Sequence, residues 1–416
     1  MVTAEIFKDV TTIPNIVDGL TVIANASDVF FLVVFGALVF MMQWGFLMLE
    51  SGQVRKKNVN NVMMKNVADW LIGGVSWLFV GYILTTSLDI GSFIEWWGRI
   101  FGTATFIENN GIELAGWFFG LVFAATAATI ASGGVAERMK LKSYIIASAI
   151  TTGLLYPLFV YLGPWGAEII PFTDYAGSLN VHALGGFLAL GLIIALGPRI
   201  GRFVNGKPIP MPGHSIPMAM SGAFILAVGW YGFNVGSSLA LNEISGLVAA
   251  TTTLSMAGGG LGALLASKKD VLFTPNGLVA GLVAICAGTN IVSPIGALII
   301  GILAGIQVPL VFKLMEKWGI DDVCGVVSVH GTAGVLGAVL AGVFGMTALG
   351  GTGDVNLINQ IIAVVVVIAY GLGFGLILGK VVGFFTGGIR VSEEEEKMGL
   401  DLAEHNLSAY PEEERT

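Results

Sequence analysis

The chain contains four histidines, His182, His214, His330 and His405, and two of them sit in matched surroundings. Asp174-Tyr-Ala-Gly177-Ser-Leu-Asn-Val181-His182 is followed by Gly186, and Asp322-Val-Cys-Gly325-Val-Val-Ser-Val329-His330 is followed by Gly334. The pattern D-x2-G-x3-V-H-x3-G thus occurs twice, each time at the start of an apolar run. An ionisable group in such a run is costly, and its default reading is functional. An imidazole there can accept a hydrogen bond, donate one or hand on a proton. A structural histidine bonded to a neighbouring helix is the competing reading of either one alone; the pairing of both in one repeated motif favours a shared site.

Aromatic residues form a second group. Phe119 and Phe123 are four apart and share a helix face, Trp165 opens a loop, and Trp230, Phe233 and Ser237 follow helical spacing. Taken alone, such a stripe is more often packing than a ligand box. Asp69, four residues after Lys65, reads as an internally paired structural charge rather than a proton carrier. Cys286 and Cys324 lie far apart and suggest neither a disulfide framework nor a metal motif, so no metal or cofactor is expected.

The elements that must position these residues follow from composition. Of 416 residues, 55% are hydrophobic, 12% are charged and 59 are Gly. Soluble domains carry roughly 25% charged residues and about 7% Gly, so a water-soluble globule is excluded. Apolar runs of about 20 residues, enough to cross a bilayer, predict eleven spans near 28–49, 66–86, 112–136, 142–163, 180–198, 217–238, 244–267, 276–290, 293–315, 328–347 and 357–387. The fold class is an all-α polytopic membrane protein. Residues 1–27 form an external N-terminal segment without a cleavable signal pattern, 28–389 the membrane domain and 390–416 a cytoplasmic tail. Glycine-rich runs such as Ala257 to Gly260 and Gly334 to Gly342 are read as close helix packing.

Orientation follows from Lys and Arg, which concentrate in cytoplasmic loops. Eighteen of the twenty fall in alternate loops and at the C-terminal end, leaving only Lys8 and Arg99 on the other side. The C-terminus is therefore expected inside and, with an odd number of spans, the N-terminus outside, in a cell membrane. The net charge of −8 is mostly a tail property, because Arg390 to Thr416 holds nine acids and three bases. The near-neutral body has no basic patch for a nucleic acid. Each histidine motif belongs to a half of five spans, so the second half enters the membrane from the opposite side. Two inverted five-helix repeats plus one final helix result, a construction transporters use with the pathway at the repeat interface.

With these features in view, the chain resembles the ammonium transporter family, related to the Rhesus proteins, over almost its whole length from Asp28 to Tyr410. The stretches that carry the resemblance are Gly52-Gln-Val-Arg-Lys-Lys-Asn58, Gly133-Gly-Val-Ala-Glu-Arg138, Asp174 to His182, Gly229-Trp-Tyr-Gly-Phe-Asn-Val-Gly-Ser237, Asp321 to Gly331 and Gly399-Leu-Asp-Leu. The resemblance implies ammonium or ammonia transport by a homotrimer with one pore per subunit. It places Phe119, Trp165 and Ser237 at an outer recruitment site, Phe123 and Phe233 as stacked rings closing the pore entrance, and His182 and His330 as twin pore-lining histidines with Trp230 beside them. Asp174 is implied as the acid that holds the recruitment region in shape. In relatives the tail packs under the trimer and its surface receives a PII-type signalling protein; Glu393 to Glu396 by themselves read as a solvated face.

Three departures stand out. Gly325 and Ser328 replace the acid and glycine usual before the second histidine, which looks more Rhesus-like; Gly120 replaces a common Gln; and Trp165 follows Pro157 at an altered spacing. Two rival functions follow from the same residues. Some relatives are ammonium sensors, and the Met42 to Gly52 stretch resembles that group as well as plant-like transporters. Alternatively, His182 and His330 would ligate one bis-His haem. The sequence holds no nucleotide-binding loop or catalytic triad, so it is not read as an enzyme.

Overall fold

A computed structural model describes residues 13–102 and 111–411. Lipid offers no partner to backbone N–H and C=O groups, so apolar runs must close their hydrogen bonds internally, as helices. Ten helices among the described residues are long and apolar enough to cross a bilayer: Val17–Gln53, Lys56–Leu84, Gly111–Val135, Leu141–Leu162, Ser178–Leu196, Ile216–Gly236, Ile244–Ala266, Pro294–Lys317, Val327–Phe344 and Leu357–Thr386. A shorter apolar helix, Phe273–Ile285, takes the place of the expected eighth span and completes the eleven. The helix carrying the first span begins at Ile13, ahead of the apolar run at Asp28. Residues 1–12 of the N-terminal segment, with Lys8, and residues 412–416 of the tail, with Arg415, lie outside the described residues.

The two halves repeat one local design. Asp174 accepts the backbone N–H groups of Gly177, Leu179 and Asn180 at 3.2, 3.0 and 2.8 Å. Asp322 likewise accepts those of Val326 and Val327 at 3.0 and 2.8 Å. Each acid caps a span whose first turn is π-helical, Ser178–Ala183 in one half and Val327–Thr332 in the other. Gly177 and Gly325 turn the chain into these segments with φ of 96° and 74°, a region that glycine enters without a Cβ penalty. The wide turns contain the histidines, and π-turns recur at functional positions. The two spans meet at Gly186 and Gly331, where a Cβ on Gly186 would run into the Gly331 backbone. That close crossing sets His182 and His330 side by side.

One helix is not announced by hydropathy. Ile90–Ile100 follows the second span, capped by Asp89, whose carboxylate accepts the Ser92 N–H at 3.2 Å. Trp96 and Trp97 donate their indole N–H groups to the carbonyls of Leu78 and Phe79, each at 2.7 Å, inside a further π-turn at Trp77–Gly81. At eleven residues, with Glu95 and Arg99 within it, the segment is too short and too charged to read as a span.

The pairing expected between Lys65 and Asp69 is not formed. Lys65 donates to Asn61 Oδ1 at 2.6 Å, while Asp69 accepts from Gln43 Nε2 at 2.6 Å and from the Tyr144 hydroxyl at 2.7 Å. A lysine four residues before an acid is the weaker order of a helical ion pair, and the first and fourth spans supply donors that serve Asp69 better.

On the face that carries the tail, charged side chains from several loops lock together. Glu137 binds Arg55 at 2.5 Å and Arg199 at 3.2 Å; Asp321 binds Arg199 at 2.8 Å and Arg202 at 3.2 Å. Burial alone would raise both carboxyls, yet the guanidinium groups outweigh it and hold each below the usual carboxylate range. Buried Arg138 is held by carbonyls of Gly134, Ala136, Gly197 and Asp321. The tail is anchored to the same loops. Val391 N–H donates to Arg138 O at 3.1 Å, Asp401 accepts the Asn61 N–H at 2.9 Å, and the Tyr410 hydroxyl meets His214 Nε2 at 2.8 Å. The solvated-face reading fits Glu393 and Glu394, which are exposed, but Glu396 is buried against Arg390 at 2.6 Å and accepts the Ile200 N–H at 2.7 Å. The reason is geometric: the fourth acid of a one-turn run faces back toward the loops.

Candidate functional site

The third and sixth spans and the loop after the fourth build a vestibule of about 690 Å³ on the face opposite the tail. Phe119, Phe123, Trp165 and Ser237 all line it. Despite the altered spacing after Pro157, Trp165 is fixed by its indole N–H, which donates to Asp174 O at 2.9 Å, and its ring meets that of Phe123 edge-on at 5.9 Å. Ser237 spends its hydroxyl proton on Phe233 O at 2.8 Å, so its oxygen is left to accept. Phe119 packs 4.9 Å from Phe123.

Below the vestibule the rings continue as a column. Phe123 and Phe233 stack at 4.0 Å with an interplanar angle of 16°. Phe233 lies 5.2 Å from His182, which also stacks on Trp230 at 5.0 Å. His182 and His330 follow, with ring centroids 5.4 Å apart and their Nδ1 atoms at 3.3 Å, so one imidazole donates to the other. His182 Nε2 is buried and has no protein partner. Phe46 of the first span closes the column at 5.7 Å from His330. The sequence repeat pointed to the histidine pair, and the helical spacing to Trp230 and Phe233. The direct contact between imidazoles leaves no room for an iron and a porphyrin between them, which removes the haem reading.

Further residues around the column carried no signal in the repeat. Trp230 Nε1 donates to Cys286 Sγ at 3.2 Å, Cys286 to Asn234 Oδ1 at 3.2 Å, and Asn234 Nδ2 to Thr252 at 2.9 Å, which fixes the indole. Gln307 holds the second π-turn by donating to Ser328 O at 2.7 Å and accepting from Thr332 Oγ1 at 2.7 Å. Glu50, a single acid at the end of a long apolar helix, could have been flagged by the rarity of charge in such a run. No group of three or more His, Cys, Asp or Glu residues suited to a metal occurs among the described residues.

Asp174 sits behind this site rather than in it. Burial pushes its carboxyl up to about 6, even though N–H groups of Asn180, Leu179 and Gly177 favour its charged form. Asp174→Ala strands those three donors, and an unsatisfied buried donor costs about 1–3 kcal/mol. The expected result is a lowered melting temperature in detergent, with Asp174→Asn in between; an unchanged melting curve for the alanine variant would contradict the capping role.

Residues 30–410 match the Ammonium Transporter Family. The chain is 69% identical to ammonium transporter Amt2 of Methanocaldococcus jannaschii, covering 99% of this chain and 98% of that protein. It is 43% identical to Amt1 of the same organism over 94% of this chain and 98% of the relative. Among solved structures, a sensor Amt protein superposes with a TM-score of 0.83 at 29% identity, covering 92% of this chain and 99% of that one. Candida albicans Mep2 superposes with a TM-score of 0.77 at 25% identity, covering 92% and 90% respectively.

Proposed function

Because the chain belongs to the ammonium transporter family, we propose that it carries ammonium across the cell membrane through a pore of its own, taking up the ion at the aromatic vestibule, deprotonating it near Phe123 and Phe233 and passing ammonia along His182 and His330. The observation that carries this reading is the unbroken column from the vestibule to the touching imidazoles. An ammonium ion against Phe119 and Trp165 gains a cation–π attraction of about 2 kcal/mol when desolvated, and Ser237 accepts one of its N–H groups. That gain is small beside the cost of an unpaired ion in a low-dielectric interior, ideally tens of kcal/mol. Crossing as neutral ammonia removes the charge, and the buried imidazoles accept or donate to it in turn. Potassium has no proton to lose, so the same route rejects it.

The distribution of Lys and Arg supports an external N-terminus and a cytoplasmic C-terminus in a cytoplasmic or inner membrane. Family membership supports a homotrimer, with Phe384, Leu265 and Ile358 among the exposed apolar residues available to lipid or to neighbouring subunits. The ordered tail offers a surface for a PII-type regulator. The decisive experiment is ammonium-evoked current in proteoliposomes, with potassium as the control cation and light scattering to follow neutral ammonia. Specific flux that potassium does not reproduce supports transport; equal potassium and ammonium currents would sink the mechanism.

A second reading, ammonium sensing, is favoured by one observation, the superposition on the sensor Amt protein. Saturable ammonium binding with neither current nor ammonia flux would decide for it.

A further inference from the structure

Glu50 is a buried carboxyl that the ring column does not use. It lies near the end of the first span, 2% exposed, where Ser132 donates its hydroxyl at 2.6 Å and Asn66 its amide at 2.9 Å. Two independent contacts locate it relative to the histidines. Phe46, one helical turn earlier on the same face, packs its ring 5.7 Å from that of His330. A Cβ on Gly133 would meet Glu50 Oε1 at 3.2 Å, Val326 Cγ1 at 3.0 Å and Cys324 Cβ at 3.1 Å, so these three atoms surround one point. Val326 precedes His330 by one turn. Glu50 therefore lies about one turn beyond His330 toward the face that carries the tail.

Resting on the transport reading above, we propose that Glu50 is the proton donor at the inner end of the pore, where its carboxylic acid returns a proton to ammonia that has passed His330. The Glu50 O–H bond breaks as the fourth N–H bond of ammonium forms. The carboxylate then takes up the proton shed by the next ammonium at the outer gate and handed on through the imidazole pair. Nothing is oxidised or reduced, and each cycle moves one ammonium and one positive charge inward.

The surroundings suit a carboxyl that alternates between two protonation states. Ser132 and Asn66 donate to the carboxylate, and Lys65 of the second span, whose Nζ is held by Asn61, is the nearest basic group acting on it. The other titratable groups facing it are Asp69 of the second span, Tyr144 of the fourth and Cys324 before the tenth. The competing account is a purely structural anchor joining the first, second and third spans, and it predicts different results.

The test compares the intact protein with Glu50→Gln and Glu50→Asp in proteoliposomes, recording ammonium-evoked current from pH 5 to 8 beside light-scattering flux, ammonium binding by calorimetry and melting temperature. Acid–base groups of this kind contribute about a hundredfold or more, so Glu50→Gln is expected to lose current by at least about tenfold and to flatten its pH dependence. Binding and melting stay near the parent values, and Glu50→Asp recovers part of the current. A Glu50→Gln current within about twofold of the parent, with the same pH profile, overturns the proposal. So does a loss that follows a fallen melting temperature and is not rescued by aspartate. Ammonia flux without current in the parent protein also overturns it, while leaving transport intact; absence of both current and flux removes the transport reading itself.

Discussion

Asp321→Ala is expected to lower stability by about 3–5 kcal/mol, the usual cost of removing one partner from a buried ion pair. The carboxylate accepts from Arg199 through Nε, Nη2 and the backbone N–H, and from Arg202 Nε. Both guanidinium groups are almost wholly buried, so water cannot replace the lost acceptor. Arg199 keeps Glu137 and Arg202 keeps Glu316, which places the expected cost toward the lower end of that range. The pH dependence identifies the cause. Burial is opposed and outweighed by Arg199 and Arg138, which depress the folded-state pKa of Asp321 below that of the unfolded chain. A depressed acid contributes stability that is complete above its unfolded pKa, about 3.9, and that drains away as pH falls through the folded value. The deficit of the variant should therefore be constant from neutral pH to about 5 and shrink in stronger acid. Melting curves in detergent across that range measure it, and a deficit unchanged down to the acid limit would show that packing, not charge, is what the alanine removes.

The membrane architecture was legible because it depends on a strong and local constraint. A bilayer demands long apolar runs whatever their neighbours are, and ten of the helices satisfy it outright. The histidine pair was legible for a different reason: pseudo-symmetry wrote the same motif twice, so His182 and His330 pointed to one another across 148 residues. The vestibule is non-local in another way. Phe119, Trp165 and Ser237 come from the third span, the loop after the fourth and the end of the sixth, and no periodicity connects them; only the resemblance did. What escaped was what tertiary partners decide. Ile90–Ile100 exists because Trp96 and Trp97 find carbonyls at Leu78 and Phe79, and Lys65 turns to Asn61 because Gln43 and Tyr144 satisfy Asp69. Glu396 is buried because Arg390, at the start of the tail, and the Ile200 amide of the loop beneath both meet its carboxylate. Apart from Asn61, four residues before Lys65, and Arg390, six before Glu396, these partners lie far in sequence from the residues they engage.

His182→Ala should lower ammonium flux by about 10–100-fold, the rate equivalent of losing roughly 1.5–3 kcal/mol of hydrogen bonding along the path. The imidazole has two roles that alanine cannot fill. Its Nδ1 pairs with His330 at 3.3 Å, and its Nε2 is buried without a protein partner, leaving it to the passing molecule. The ring also fills the column between Phe233 and Trp230. Its removal opens a space next to an unpaired His330, and a polar space of that size admits water. A wet passage lowers the cost of keeping a charge, so deprotonation ceases to be obligatory and discrimination against potassium should fall together with the flux of ammonia. His330→Ala should act in the same direction. Because the two imidazoles share one bond, the double variant should cost less than the sum of the single ones. Ammonium binding at the vestibule should survive, since Phe119, Trp165 and Ser237 lie on the far side of the Phe123–Phe233 stack. Current and scattering measurements with ammonium and potassium in parallel decide it, and a His182→Ala protein with unchanged flux and unchanged selectivity would mean that ammonia does not travel past the imidazoles.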